Sequence, residues 1–187
     1  MADKTIETEM TGVAGKPDRT VAVFGSGEVV QGSDDWRLAF AVGRTLAGLG
    51  YAIANGGYAG TMEASAKGAV EAGGWAVGVT CRLWGARPNA YLSRTVVTED
   101  LPQRIQTLIE LGGAGYVVLP GATGTLAELA WVWELTFKGF LPARPIVCVG
   151  EFWRPLVEMT SLVRPAGARY VALANGPERL GHFFPKA

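Results

Sequence analysis

In "LPGATGTLAEL", Leu119 to Leu129, a turn rich in glycine and threonine is followed at once by helix-forming residues, and its single charge is Glu128. An apolar run precedes it. A helix that begins after such a turn leaves its first amides unpaired and directs the positive end of its dipole outward. Glycine keeps side chains out of the way and tolerates backbone conformations closed to other residues. Together these features hold a phosphate or another anion. The candidate cradle is Gly121, Ala122, Thr123, Gly124 and Thr125. Glu128, read as belonging to the first helical turn, is expected to point back toward the anion. An acid near a helix start is also favoured by the dipole alone.

Two further turns have similar composition. Gly25-Ser26-Gly27 ends "TVAVFGSG" and Asn55-Gly56-Gly57 ends "YAIANGG". Ser26, Gly27, Gly56 and Gly57 join the candidate ligand-binding residues. Other chemistries fit poorly. "GSGEVV" has the first two glycines of a GxGxxG fingerprint but not the third, and there is no GxxxxGK[ST] and no GxSxG. The one histidine, His182, stands at the far end of the chain from Ser26, which argues against a Ser-His-Asp triad. It also makes no recognised metal spacing with Cys81 and Cys148, so no metal is expected.

The elements that position these turns alternate along the chain. Strands are expected at "TVAVFGSG", "YAIANGG", "WAVGVTC", "RTVVTED", "GYVVLPG", "PIVCVG" and "YVALANG". Helices are expected at "WRLAFAVGRTLAGLG" behind an N-cap at Ser33, and at "GTMEASAKGAVEAGG", "LPQRIQTLIELGG", "TGTLAELAWVWELTFKG" and "FWRPLVEMTSLV". A helical turn follows Pro177. Apolar strands separated by helices mean parallel pairing with right-handed crossovers. The fold class is therefore α/β: a single-domain, doubly wound, Rossmann-like and mostly parallel sheet with helices on both faces. All three glycine turns then share one sheet edge, where ligands of open α/β sheets bind.

With 187 residues, 49% hydrophobic and 18% charged, the chain suits one domain, assigned to residues 19–187 behind a flexible tail over residues 1–18. Seventeen Lys and Arg balance seventeen Asp and Glu, so no global charge invites nucleic acid. Cys81 and Cys148 sit in apolar runs and are expected to be reduced core thiols. The amino terminus has no basic segment followed by an apolar one. No apolar run approaches the ~18 residues of a membrane span. A cytoplasmic protein without membrane contact is expected.

The motifs resemble a known family. "LPGATGTLAE" is similar to the PGGxGTxxE signature of the LOG proteins, the cytokinin-activating phosphoribohydrolases, many of whose relatives carry the label "possible lysine decarboxylase". "ANGGYAGTMEASAKGA" resembles the family's GGGxxGxM segment and "VAVFGSG" its first strand, so the likeness runs from about Thr20 to Leu162. Ala122 and Asn55 stand where the two signatures have glycine. The resemblance implies that Gly121 to Thr125 hold the 5′-phosphate of an AMP-like nucleoside monophosphate, that Glu128 is the catalytic glutamate, and that Arg104 is the catalytic arginine. It implies hydrolysis of the N-glycosidic bond to free base and ribose 5-phosphate, without a cofactor, by a homodimer. "RIQTLIEL" and "ELAWVWELTFKG" look more like the branch that includes a molybdenum-cofactor carrier protein, which implies the alternative of a carrier or sensor of a phosphorylated ligand. No distinctive pyridoxal-phosphate lysine context supports the decarboxylase label.

In the implied reaction, cleavage of a ribosyl C–N bond builds positive charge on the sugar, which a carboxylate such as Glu128 would stabilise. Arg104 would hold a phosphate or ribose oxygen with its planar fork, its alternative being a solvated helix face. Ser26 is a possible donor to a ligand oxygen. Glu63 suits a helix-dipole partner, and Arg82 and Arg87 are loop charges able to close over an anion. The helix over "LAELAWVWELTF" is apolar nearly all round. Leu126, Leu129, Ala130, Trp133 and Phe137 are expected to face the sheet, leaving other apolar residues for a partner helix.

Overall fold

The computed structural model describes residues 19–186, so the tail expected over residues 1–18 lies outside the described residues. Each of the seven apolar runs forms a strand: β1 (Thr20–Phe24), β2 (Ala52–Asn55), β3 (Ala76–Cys81), β4 (Arg94–Thr98), β5 (Gly115–Val118), β6 (Ile146–Val149) and β7 (Val171–Ala174). Between them run α1 (Asp34–Gly48), α2 (Thr61–Glu71), α3 (Leu101–Leu111), α4 (Thr123–Phe137), α5 (Arg154–Val163) and a short α6 (Pro165–Ala168). The strands form one sheet in the order β4-β3-β2-β1-β5-β6-β7, every neighbouring pair parallel. This is the doubly wound α/β arrangement expected from the sequence.

The strand order reverses between β1 and β5. The chain winds outward from β1 to β4, then returns so that Phe24 of β1 lies beside Val118 of β5. Alternating side chains of β1 go to opposite faces. Val21 and Val23 pack with Val42, Leu46 and Ala66 of α1 and α2. Ala22 and Phe24 pack with Leu108, Leu129 and Val157 of α3, α4 and α5. The helices following β1 and β5 therefore leave on opposite sides, which opens a crevice at the carboxyl ends of these two strands.

Helix α4 buries a face shifted from the one expected: Leu129 and Trp133 are inside as expected, but Leu126 and Ala130 are not. Thr125, Glu128, Leu129, Val132, Trp133 and Thr136 are buried. Leu126, Ala127, Ala130 and Trp131 are exposed. Trp133 turns under its own chain, where its indole N–H donates to the Gly167 carbonyl at 2.9 Å. A hollow of about 260 Å³ remains between α4 and α5, lined by Leu126, Ala130, Leu156 and Arg164 among others. It shares α4 with the polar crevice, but neither Glu128 nor Arg104 lines it. Cys81 and Cys148 are free and buried. No described helix is long and apolar enough to cross a membrane.

Candidate functional site

Four helices begin at the carboxyl edge behind β1, β2, β4 and β5, and they begin in two ways. Two starts are closed by side chains. Ser33 Oγ accepts from the Trp36 amide of α1 at 3.3 Å, and Asp100 Oδ1 accepts from the Gln103 amide of α3 at 2.8 Å. The other two, α2 and α4, have no side-chain cap: their N-cap residues are Gly60 and Ala122. At α2 the Ser26 carbonyl takes the Thr61 amide at 2.9 Å and the Thr61 hydroxyl at 3.1 Å. The first turn of α4 offers the amides of Thr123, Gly124 and Thr125 to whatever enters the crevice.

The five cradle residues are not equivalent. Thr125 is buried against Gly121, where a Cβ would collide with its hydroxyl. Ala122, Thr123 and Gly124 are exposed. Glycine in this turn was expected to allow backbone conformations closed to other residues, but Gly124 uses none of them. Instead it lies inside α4, it is not among the positive-φ glycines, and a Cβ there would meet nothing within 4 Å. What its lack of a side chain provides is clearance above the helix start.

Glu128 is not a first-turn residue: α4 begins at Thr123, which puts it in the second turn. It is also not a solvated dipole partner. It is 7% exposed, and burial pushes its carboxyl up from 4.5 to about 7, with the nearby charge of Arg104 pulling partly the other way. Arg104 is 4% exposed, so the alternative of a solvated helix face does not hold. Its Nε donates to the Val79 carbonyl at 2.8 Å and its Nη2 to the Gly56 carbonyl at 3.1 Å. Nη1 is left facing Glu128 Oε1 at 3.7 Å. Burial disfavours the charged guanidinium, but arginine stays protonated in proteins, and these carbonyls and Glu128 compensate it. Gly56 is needed for this arrangement, since a Cβ there would collide with Nη2.

Two aromatic residues of this site were not among the candidates. The Arg104 guanidinium carbon lies 5.0 Å from the ring centre of Trp84 and 5.7 Å from that of Tyr58. Tyr58 is held by its hydroxyl, which accepts from the Cys81 amide at 2.8 Å and donates to the Cys81 carbonyl at 3.2 Å. The signal available in the sequence was position alone: both aromatics follow strands at the carboxyl edge. Asn55 is buried and bound on three sides. Its Nδ2 donates to the Met62 carbonyl at 2.8 Å and to Ser65 Oγ at 3.0 Å, and its Oδ1 accepts from the Gly57 amide at 2.9 Å. Asparagine in place of the signature glycine thus ties the second turn to α2.

The remaining candidates are more peripheral. Ser26 Oγ accepts from the Glu28 amide at 3.1 Å and leaves its hydroxyl proton to donate. Gly27 is exposed beside Met62, and Gly57, with φ 78°, is buried. Glu63 is half-buried in the first turn of α2. Arg82 pairs with Glu99 at 3.0 Å, and Arg87 is exposed.

Fold and crevice define a Rossmann-like α/β protein with a buried carboxylate–guanidinium pair beside the open start of α4. The chain belongs to the SLOG cluster4 family, whose model matches residues 18–153. It is 34% identical over 135 residues to the cytokinin riboside 5′-monophosphate phosphoribohydrolase of Mycobacterium tuberculosis, covering 71% of each chain. In fold it resembles the molybdenum cofactor binding protein of Rippkaea orientalis, with a TM-score of 0.71 at 20% identity over 87% of this chain and 93% of that one. It likewise resembles the molybdenum cofactor carrier protein of Chlamydomonas reinhardtii, with a TM-score of 0.65 at 19% identity over 85% and 91%.

Proposed function

We propose that the protein hydrolyses the N-glycosidic bond of a nucleoside 5′-monophosphate, releasing a free base and ribose 5-phosphate. The observation that carries this reading is the buried Glu128 carboxylate facing Arg104 at 3.7 Å, one turn beyond an uncapped helix start. The amides of Thr123 to Thr125 hold the phosphate, and Gly124 leaves room for it. This sets the ribose beside Glu128. As the C1′–N bond breaks, positive charge grows on the sugar, and the ionised carboxylate stabilises it. The same carboxylate takes a proton from the water whose oxygen bonds to C1′; the base leaves with the bond's electron pair and takes up that proton, which regenerates the carboxylate. A carboxyl titrating near 7 serves as a base at neutral pH, and Arg104 keeps part of it ionised. The curated relatives named as phosphoribohydrolases support this reading.

A second reading, a carrier of a phosphorylated ligand, draws on Arg104 itself. Its tethers to Val79 and Gly56 use donors that a ligand would otherwise take. Incubation with AMP and related monophosphates, followed by chromatography, separates the two. Release of free base supports the hydrolase; tight binding without release supports the carrier.

We further propose a homodimer through the outer face of α4, where Trp131 is 54% exposed beside Leu126 and Ala130. Trp131→Glu is expected to give a monomer in light scattering. A parent already monomeric at micromolar concentration would end that proposal.

A further inference from the structure

We propose that Trp84 is the platform on which the ligand's base stacks, so that an aromatic base adds affinity that a bare sugar phosphate lacks. The inference rests on the nucleotide reading above. Trp84 closes a short 3-10 turn, Arg82–Trp84, at the end of β3, and Gly85 follows with φ 60°. The turn is tethered at its amino-terminal end. Arg82 pairs with Glu99, and the Tyr58 hydroxyl bonds both polar backbone atoms of Cys81. The indole packs on Tyr58, ring centres 5.5 Å apart and tilted by 50°, and on the Arg104 guanidinium. Despite these contacts Trp84 is 52% exposed.

Its position separates it from the other exposed tryptophans. Trp75 precedes β3 and so lies at the opposite sheet edge, and Trp131 lies on the outer face of α4. Trp84 is the exposed tryptophan that packs on Arg104. Contacts run in a chain from Glu128, one turn beyond the open start of α4, to Arg104 and from Arg104 to Trp84. A nucleoside monophosphate has the same order: phosphate, ribose, base. A large flat heterocycle gains most from an indole face, a pyrimidine less, and a bare sugar phosphate nothing. Contact with Tyr58 and Arg104 fixes the indole before the ligand arrives, which lowers the ordering cost of the stack.

The test is calorimetric titration of AMP, CMP and ribose 5-phosphate. It uses a Glu128→Gln background to keep the ligands intact, and compares Trp84 with Trp84→Ala and Trp84→Phe. AMP is expected to bind about tenfold more tightly than ribose 5-phosphate, Trp84→Ala to abolish that difference, and Trp84→Phe to retain most of it. Ribose 5-phosphate affinity is expected to stay the same in all three proteins. If Trp84→Ala keeps the AMP advantage, the stacking role is overturned while the nucleotide reading stands. Equal loss of AMP and ribose 5-phosphate also overturns it, because Trp84 would then act only by holding Arg104. If Trp84 protein binds neither ligand, the nucleotide reading falls and takes this inference with it.

Discussion

The starts of α3 and α4 follow strands of one parallel sheet, yet their chemistry is opposite. At α3, Asp100 takes the Gln103 amide, Gln103 Oε1 takes the Glu99 amide at 2.7 Å, and Pro102 has no amide to offer. The reciprocal bonds resemble a capping box and leave little for a ligand. At α4 the corresponding positions are Ala122, Thr123, Gly124 and Thr125, without a cap. Each helix then carries a buried charge shortly beyond its start, Arg104 on α3 and Glu128 on α4. The difference divides the labour. A closed start fixes the helix that supplies the cation, whose other bonds are to β3 and to the turn after β2. An open start sacrifices local stability and leaves dipole and amides for an anion next to the carboxylate.

The largest way to break this comparison is at Glu128. Glu128→Gln is expected to lower turnover by on the order of a hundredfold while monophosphate affinity holds within a fewfold, because the charge matters chiefly as the sugar becomes cationic. The same variant has a signature in stability. Burial raises the folded-state pKa of Glu128 from 4.5 to about 7, so the fold binds this proton more tightly than the unfolded chain. The contribution is fully present below 4.5 and is lost as pH rises to about 7. Urea midpoints of the parent should carry this decline and those of Glu128→Gln should lack it. Turnover of the parent should rise through the same window as the carboxylate ionises.

A smaller effect is expected at the open start. Gly124→Val places a side chain where there is now space, so the fold should hold while phosphate affinity drops about tenfold, the worth of one charge-assisted hydrogen bond. Calorimetry showing unchanged affinity would move the cradle elsewhere. The smallest effect belongs to the closed start. Asp100→Ala should cost about 1 kcal/mol of stability by denaturant titration, as lost caps do, and leave phosphate affinity intact.

The strands and most helix ends were legible because apolar runs and capping residues are local signals; Ser33 before α1 and Gly50 after it, with φ 91°, are examples. The inward face of α4 was not, since a helix apolar on several sides has no periodicity to read. Leu126 and Ala130 were expected inside and are exposed, while Val132 and Thr136 are buried. α6, one turn long, left no pattern. At the site, the turns could be found from composition. The tethers of Arg104 could not, because Val79 and Gly56 lie 25 and 48 residues away in the chain. Gly124 was misjudged because glycine in the first turn of a helix looks, in sequence, like glycine in the turn before it.

Backbone amide shifts of isotope-labelled protein, followed by NMR during titration with AMP, test most directly whether the open start of α4 is the phosphate site. The largest changes should fall on the amides of Thr123, Gly124 and Thr125, with little at Leu101 and Gln103. Saturable binding that shifts the α3 start instead, or leaves the α4 amides unmoved, would contradict the account.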